Sequence, residues 1–182
     1  MDRKYGETVN YLLDNIREIA LGADTAKLAE LADLILSKRT IFIYGSGRSG
    51  LVGQYFSVRL VQMGLDVHFV GEMTTQIIGK DDLTILISNT GETMSAVQTA
   101  NIARRIGSHV VCITGAKDSK LAAASNTVID LDTGSKHNGV YAPLGTLFED
   151  AAVMMLDSMI PALMDRIGTD ENDMRHRHAI WV

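Results

Sequence analysis

Two short polar runs hold the residues whose types and spacing suit the binding of a small anion. The first, Gly45-Ser46-Gly47-Arg48-Ser49-Gly50, follows the apolar run Ile41-Phe42-Ile43-Tyr44. The second, Ser88-Asn89-Thr90-Gly91-Glu92-Thr93, follows Leu83-Thr84-Ile85-Leu86-Ile87. Small residues let the backbone turn tightly and aim several N–H groups, with the positive end of a following helix, at one negative group. Together the runs offer the hydroxyls of Ser46, Ser88, Thr90 and Thr93, the amide of Asn89, the backbone at Gly47 and the guanidinium of Arg48. Neutral donors plus a helix dipole can saturate a phosphomonoester without a metal. Either run alone fits an ordinary helix N-cap equally well, since Ser and Thr are favoured there. Their joint occurrence after two strands favours a phosphorylated ligand. Gly45, Gly47 and Gly50 also meet the G-x-G-x-x-G spacing, and Glu72 stands about where a ribose-binding acid would. Arg48, the two serines and the second polar loop weigh against that dinucleotide reading.

These loops need strands and helices to hold them, and the chain supplies both in alternation. Apolar positions recur at helical spacing through Leu12, Leu13, Ile16 and Ile19, then through Leu28, Leu31, Leu34 and Ile35, so two helices precede the first strand. Afterwards β-rich and helical runs alternate: Thr40 to Tyr44 and Leu51 to Met63; Val67 to Val70; Leu83 to Ser88 and Thr93 to Ile106; His109 to Thr114; Thr127 to Leu131 and Leu144 to Arg166. That order predicts a three-layer α/β/α sandwich around a five-stranded parallel sheet of flavodoxin or Rossmann-like type, with ligands at the carboxyl ends of the strands. Met154, Met155 and Met159 read as apolar faces of the last helix.

With 182 residues, 46% of them hydrophobic, and two prolines, the expectation is one domain spanning 1–182. A net charge of −5 argues against nucleic acid as a partner. No apolar run reaches the ~18 residues of a membrane span, and no signal-peptide core follows the charged start, so a cytoplasmic protein is expected. The single cysteine, Cys112, lies in an apolar strand and reads as structural. From Thr169 the composition turns linker-like: acidic, then basic and histidine-rich, then apolar at Ile180-Trp181-Val182. A frayed end or docking of Trp181 on a neighbouring surface fits that pattern.

The second run matches S-x-[ST]-G-x-T at Ser88, Thr90, Gly91 and Thr93. Here the chain resembles the SIS (sugar isomerase) family, from the strand at Thr40 to the tail. The first loop is similar to the G-x-G-[RK]-S-G of the branch holding 6-phospho-3-hexuloisomerases and arabinose 5-phosphate isomerases. Arg48 favours the former, and so does the expectation that no nucleotide-binding module follows the SIS domain. The resemblance implies a phosphorylated sugar substrate, no cofactor and no metal. It also implies a homotetramer whose C-terminal tail contacts a neighbouring subunit, and a place in the ribulose monophosphate route.

The P-x-G-[ST]-L-F-E segment of that branch matches Pro143 to Glu149, and the resemblance makes Glu149 the base; by itself, Glu in a first helical turn is also an ordinary dipole partner. The chemistry suits a carboxylate: moving a carbonyl from C3 to C2 of a hexulose 6-phosphate needs a proton taken from one carbon and returned to its neighbour through an enediol. Arg177-His178-Ala179 matches the start of the family's C-terminal R-H-A-N-L-E, after which Ile180 and Trp181 depart from it. His178 is therefore one candidate to move protons among the sugar oxygens, and His137, in the loop after the last strand, is another. His68, His109 and His176 read as structural. The function so implied is interconversion of arabino-3-hexulose 6-phosphate and fructose 6-phosphate. A non-catalytic module sensing a sugar phosphate, or an isomerase of another sugar phosphate such as arabinose 5-phosphate, are the alternatives.

Overall fold

Alternate residues of a strand point to opposite faces, so a strand that is apolar throughout must have both faces covered. The computed structural model, which describes residues 2–136 and 138–178, meets that requirement. Helices α1 (Asp2–Leu21) and α2 (Thr25–Ser37) lead into β1 (Ile41–Gly45), α3 (Gly47–Gln62), β2 (Val67–Phe69), β3 (Leu83–Ser88), α4 (Met94–Ile106), β4 (His109–Thr114), α5 (Lys120–Ala123) and β5 (Thr127–Asp130). A 3-10 turn (Gly134–Lys136), α6 (Thr146–Ile167) and α7 (Glu171–His176) complete the order. The odd-numbered Ile41, Ile43, Ile85, Ile87, Val111 and Ile113 pack with Phe56 of α3 and Phe148 of α6. The even-numbered Leu86, Val110 and Cys112 pack with Ala96, Ala100 and Ala103 of α4. A one-residue slip in any strand would exchange these two cores, which pins the register.

The sheet is parallel with strand order β2-β1-β3-β4-β5. From β1 the chain first passes to β2 on one side and then crosses to β3 on the other. Strands β1 and β3 pair from Ile41 opposite Leu83 to Gly45 opposite Ile87, so their following loops emerge side by side at the point where the strand order reverses. This is where open parallel sheets bind ligands.

The expected ranges of β3 and β4 coincide with the observed ones. Three stretches differ, the first being the short helix α5 between β4 and β5, where no helix was expected. Helix α3 begins at Gly47 rather than Leu51, because the glycine loop itself forms the first helical turn. The acidic tail expected as a linker forms α7: Asp170 and Asp173 close a reciprocal capping box, Met174 is buried, and Arg177 donates to the carbonyl of Gln62 at 3.4 Å. The run of acids is thus a helix start, where they face the positive end of the dipole. The expected docking of Trp181 lies outside the described residues. Met155 and Met159 are buried as expected, whereas Met154 is half exposed. Cys112 is buried, which pushes its thiol up to about 11. Among the described residues no helix is long and apolar enough to cross a membrane.

Candidate active site

The first loop can be this tight only because its glycines touch. A β-carbon on Gly45 would stand 2.7 Å from the carbonyl of Ser49, and one on Gly50 would stand 2.6 Å from the carbonyl oxygen of Gly45. The second loop is closed by its own side chains. The amide of Gly91 donates to Ser88 Oγ (3.2 Å), Ser88 Oγ and Thr93 Oγ1 share a hydrogen bond (3.2 Å), and the amide of Glu92 donates to Thr90 Oγ1 (3.3 Å). Gly91 has φ +62, with Ser119 Oγ where a side chain would begin. Glu92 turns outward to Lys120 at 2.6 Å.

The helix starts around these loops differ from those of α2, α5 and α7. Helices α2, α5 and α7 are capped by the side chains of Asp24, Ser119 and Asp170. The caps of α3 and α4, Ser46 and Thr93, make no side-chain bond to their own helices, and α6 starts from Gly145, which has no side chain. All three uncapped starts line one 460 Å³ cavity together with Ser49, Ser88, Asn89, Thr90 and Glu149. The N–H groups of a first helical turn lack intrahelical partners, so three sets of donors and three positive dipole ends converge on this space. An ordinary N-cap role is thereby excluded for Ser46 and Thr93.

Glu149 sits in the first turn of α6, buried at 8% exposure. Ser49 Oγ donates to its Oε1 at 3.2 Å, and Arg48 Nη1 lies 3.4 Å from Oε2. The Arg48 contact is off the hydrogen-bonding direction, leaving Oε2 buried without a hydrogen bond. Burial holds the Glu149 carboxyl above its usual range, with Arg48 and then Ser49 opposing that rise. The neighbouring Asp150 is likewise raised by burial and lowered by Arg48. Arg48 also reaches the carbonyl of Leu144 and Thr146 Oγ1, each at 3.4 Å, so one cation spans the β1 loop and the start of α6. Replacing it with Met should move the acidic limb of the pH–rate profile to higher pH, because the group opposing the raised pKa is gone; a profile unmoved on its acid side would show that Arg48 does not tune Glu149.

The amide of Asn89 is held between two glycines. A β-carbon on Gly115 would lie 2.6 Å from Asn89 Oδ1, and one on Gly145 would lie 2.7 Å from Asn89 Nδ2 and 3.2 Å from Glu149 Oε2. Gly145 has φ +82, and Leu144 before it has φ +51, 90% exposed at the cavity mouth. Left-handed backbone at a leucine is uncommon and strained, and such strain collects at functional sites.

The structure thus gathers Ser46, Arg48, Ser88, Asn89, Thr90, Thr93 and Glu149 around one space. Gly47 (φ +58) forms the open first turn of α3, with no neighbour within 4 Å of a would-be side chain. His178 does not join them within the single chain: it lines a separate cleft with Gln54, Val58, Val61 and Arg177. His137 lies outside the described residues. Glu72, weighed as a ribose ligand, accepts from the amide of Phe69 at 2.8 Å and closes its own turn. Sequence reasoning passed over Ser49 and Gly145. The small-residue spacing Ser49, Gly50, Gly53 and Ser57, all buried, was the available signal for the first. Among the described residues no group of three or more His, Cys, Asp or Glu could hold a metal ion.

A parallel sheet with its anion loops at the β1/β3 reversal and a buried carboxylate beside them is an arrangement shared with a known class, and the family model of the SIS domain matches residues 34–156. The chain belongs to the SIS domain family. Among its relatives, the 3-hexulose-6-phosphate isomerase of Bacillus subtilis is 34% identical, covering 97% of this chain and 98% of its own. That of Methanocaldococcus jannaschii is 38% identical over 84% of this chain and 82% of its own. A crystal structure from Methanococcus jannaschii, for which the function of 3-hexulose-6-phosphate isomerase was inferred, superposes with a TM-score of 0.88 at 34% identity, covering 97% of this chain and 99% of that one.

Proposed function

We propose that this protein is a 3-hexulose-6-phosphate isomerase, interconverting arabino-3-hexulose 6-phosphate and fructose 6-phosphate. The observation that carries the reading is the convergence of three uncapped helix starts on a cavity that also contains a buried carboxylate. The helix starts and hydroxyls suit a phosphate dianion; the carboxylate suits a proton moved at carbon. Ser46, Ser88, Thr90, Thr93 and the backbone at Gly47 hold the phosphate, with Arg48 and Asn89 towards the sugar. Glu149 takes the proton from C2, the C–H electron pair forms the C2=C3 double bond, and the carbonyl pair moves to O3. The hydroxyl proton passes from O2 to O3 and Glu149 returns its proton to C3, giving the C2 ketone. Its raised pKa places it nearer neutrality, where accepting and returning a proton are better balanced.

In this reading residues 1–182 act as a single SIS domain in a cytoplasmic homotetramer, and a neighbour's tail brings His178 to the cavity for the transfer between oxygens. In support, His178 stands outside its own chain's cavity, and α3 presents the exposed apolar residues Leu51, Tyr55, Val58 and Val61. The product connects the enzyme to the ribulose monophosphate route. Supplying arabino-3-hexulose 6-phosphate and following fructose 6-phosphate tests the reaction. Turnover is expected; tight binding of the sugar phosphate without turnover would replace the isomerase with a sensor. Removing the chain from Arg175 onward is expected to lower the rate and disrupt assembly, and an unchanged rate and mass would overturn the role of the tail.

A further inference from the structure

Asn89 stands in the phosphate-loop sequence, yet its side chain takes a course of its own. Its loop neighbours Ser88 and Thr93 pair with each other, and Thr90 Oγ1 accepts from the amide of Glu92. The amide of Asn89 instead passes between Gly115 and Gly145, two positions where any β-carbon would collide with it. Its backbone is fixed as well: the Asn89 carbonyl accepts from the amide of Gly115 at 2.9 Å and from Thr114 Oγ1 at 3.3 Å. The donor end, Nδ2, and Glu149 Oε2 lie 2.7 and 3.2 Å from one point, the would-be β-carbon of Gly145. A donor facing a carboxylate is the orientation that electrostatics favours. The amide therefore occupies the space left by the missing side chains of Gly115 and Gly145, with Nδ2 within about 6 Å of the base's Oε2.

We propose that Asn89 is a catalytic residue of the isomerisation, donating from Nδ2 to the sugar oxygen that becomes negative when Glu149 removes the carbon-bound proton. The inference rests on the isomerase reading and deepens it. As the C2–H bond breaks and its electron pair forms C2=C3, charge develops on O3. A preorganised N–H beside the base meets that charge without reorganisation, which is where such a donor lowers a barrier most. In the return step, proton delivery to C3 leaves the ketone oxygen O2 in the same neighbourhood, so one amide serves both directions.

Asn89→Ala and the similarly sized Asn89→Leu separate this role from phosphate holding. Each should lower kcat about 100- to 1,000-fold, the usual loss on removing one such donor. Affinity for inorganic phosphate should stay within about threefold of the parent, which also shows that the variants fold. A phosphorylated hydroxamate, which mimics the enediolate, should lose affinity by about the same factor as kcat, as a group acting only in the transition state requires. Variants with parental kcat, or with phosphate affinity at least tenfold weaker and kcat unchanged, would overturn the assignment and return Asn89 to the phosphate. A parent inactive towards arabino-3-hexulose 6-phosphate, and unable to exchange the C3 proton of fructose 6-phosphate with D2O, would overturn the isomerase reading itself and this role with it.

Discussion

Glu149→Gln should abolish most turnover and at the same time make the protein more stable at neutral pH. The first effect follows from the base: general acid–base groups contribute about 10²- to 10⁴-fold, and Gln keeps the shape of the side chain without a site for the proton. The second follows from burial. The folded-state pKa of Glu149 lies above its ordinary value because the charged form is poorly solvated. A group raised in this way contributes its stability when protonated; that contribution is complete below the unfolded-state pKa and is lost as the pH rises through the folded one. The neutral Gln does not incur this loss. Its melting temperature should therefore exceed that of the parent at pH 7, and the gap should close as the pH falls into the carboxylate range. Parental turnover would remove Glu149 as the base; a lower melting temperature at pH 7 would mean that the contact with Arg48 outweighs the cost of burial.

Gly145→Ala should be nearly as damaging to activity, for a reason of space. Its β-carbon would stand 2.7 Å from Asn89 Nδ2 and 3.2 Å from Glu149 Oε2, at φ +82, so the two groups must move apart or the start of α6 must shift. Misplacing a reacting group by about 1 Å can cost 10²-fold, and kcat/KM should fall by at least that. Gly168→Ala at the opposite end of α6 is the control, since its φ of +73 is also left-handed but nothing lies within 4 Å of the added carbon. Both variants should lose about 1–2 kcal/mol from the backbone conformation, measurable by denaturant titration, while the second retains its activity. Equal activity in the two variants would show that the clearance around Gly145 has no part in the site.

The contrast between these glycines shows how far the chain could be read without coordinates. Strand positions were legible because Leu83–Ser88 and His109–Thr114 are apolar on both faces, a pattern that little besides a central strand produces over so short a run. The two loops were legible because anion binding restricts residue type within a few consecutive positions; Glu149 stood out only through the resemblance of Pro143 to Glu149 to a family segment, since a Glu in a first helical turn is by itself an ordinary dipole partner. Helix α7 was not, since its cap uses Asp at both ends of the box, and an acidic cluster after a glycine resembles a linker. Gly145 was unreadable for a different reason. A glycine after Pro-Leu signals a turn, and nothing local reveals that Asn89, from another strand's loop, occupies the space its side chain would need. Ser49 was hidden by its helix: a serine one turn into α3 acquires meaning only when α6 places a carboxylate against it.

The uncapped starts of α3, α4 and α6 also tie the lifetime of the fold to its ligand. At α2, α5 and α7 an aspartate or serine closes the helix end; at α3, α4 and α6, on the function proposed above, the closing group comes with the sugar phosphate. Binding then completes secondary structure as well as filling a site, and the folded state gains RT ln(1 + [L]/Kd), about 2.7 kcal/mol when the ligand stands at a hundred times its Kd. A cell rich in the substrate would thus hold more of this protein against unfolding and proteolysis than a starved one, with no regulator beyond the metabolite itself.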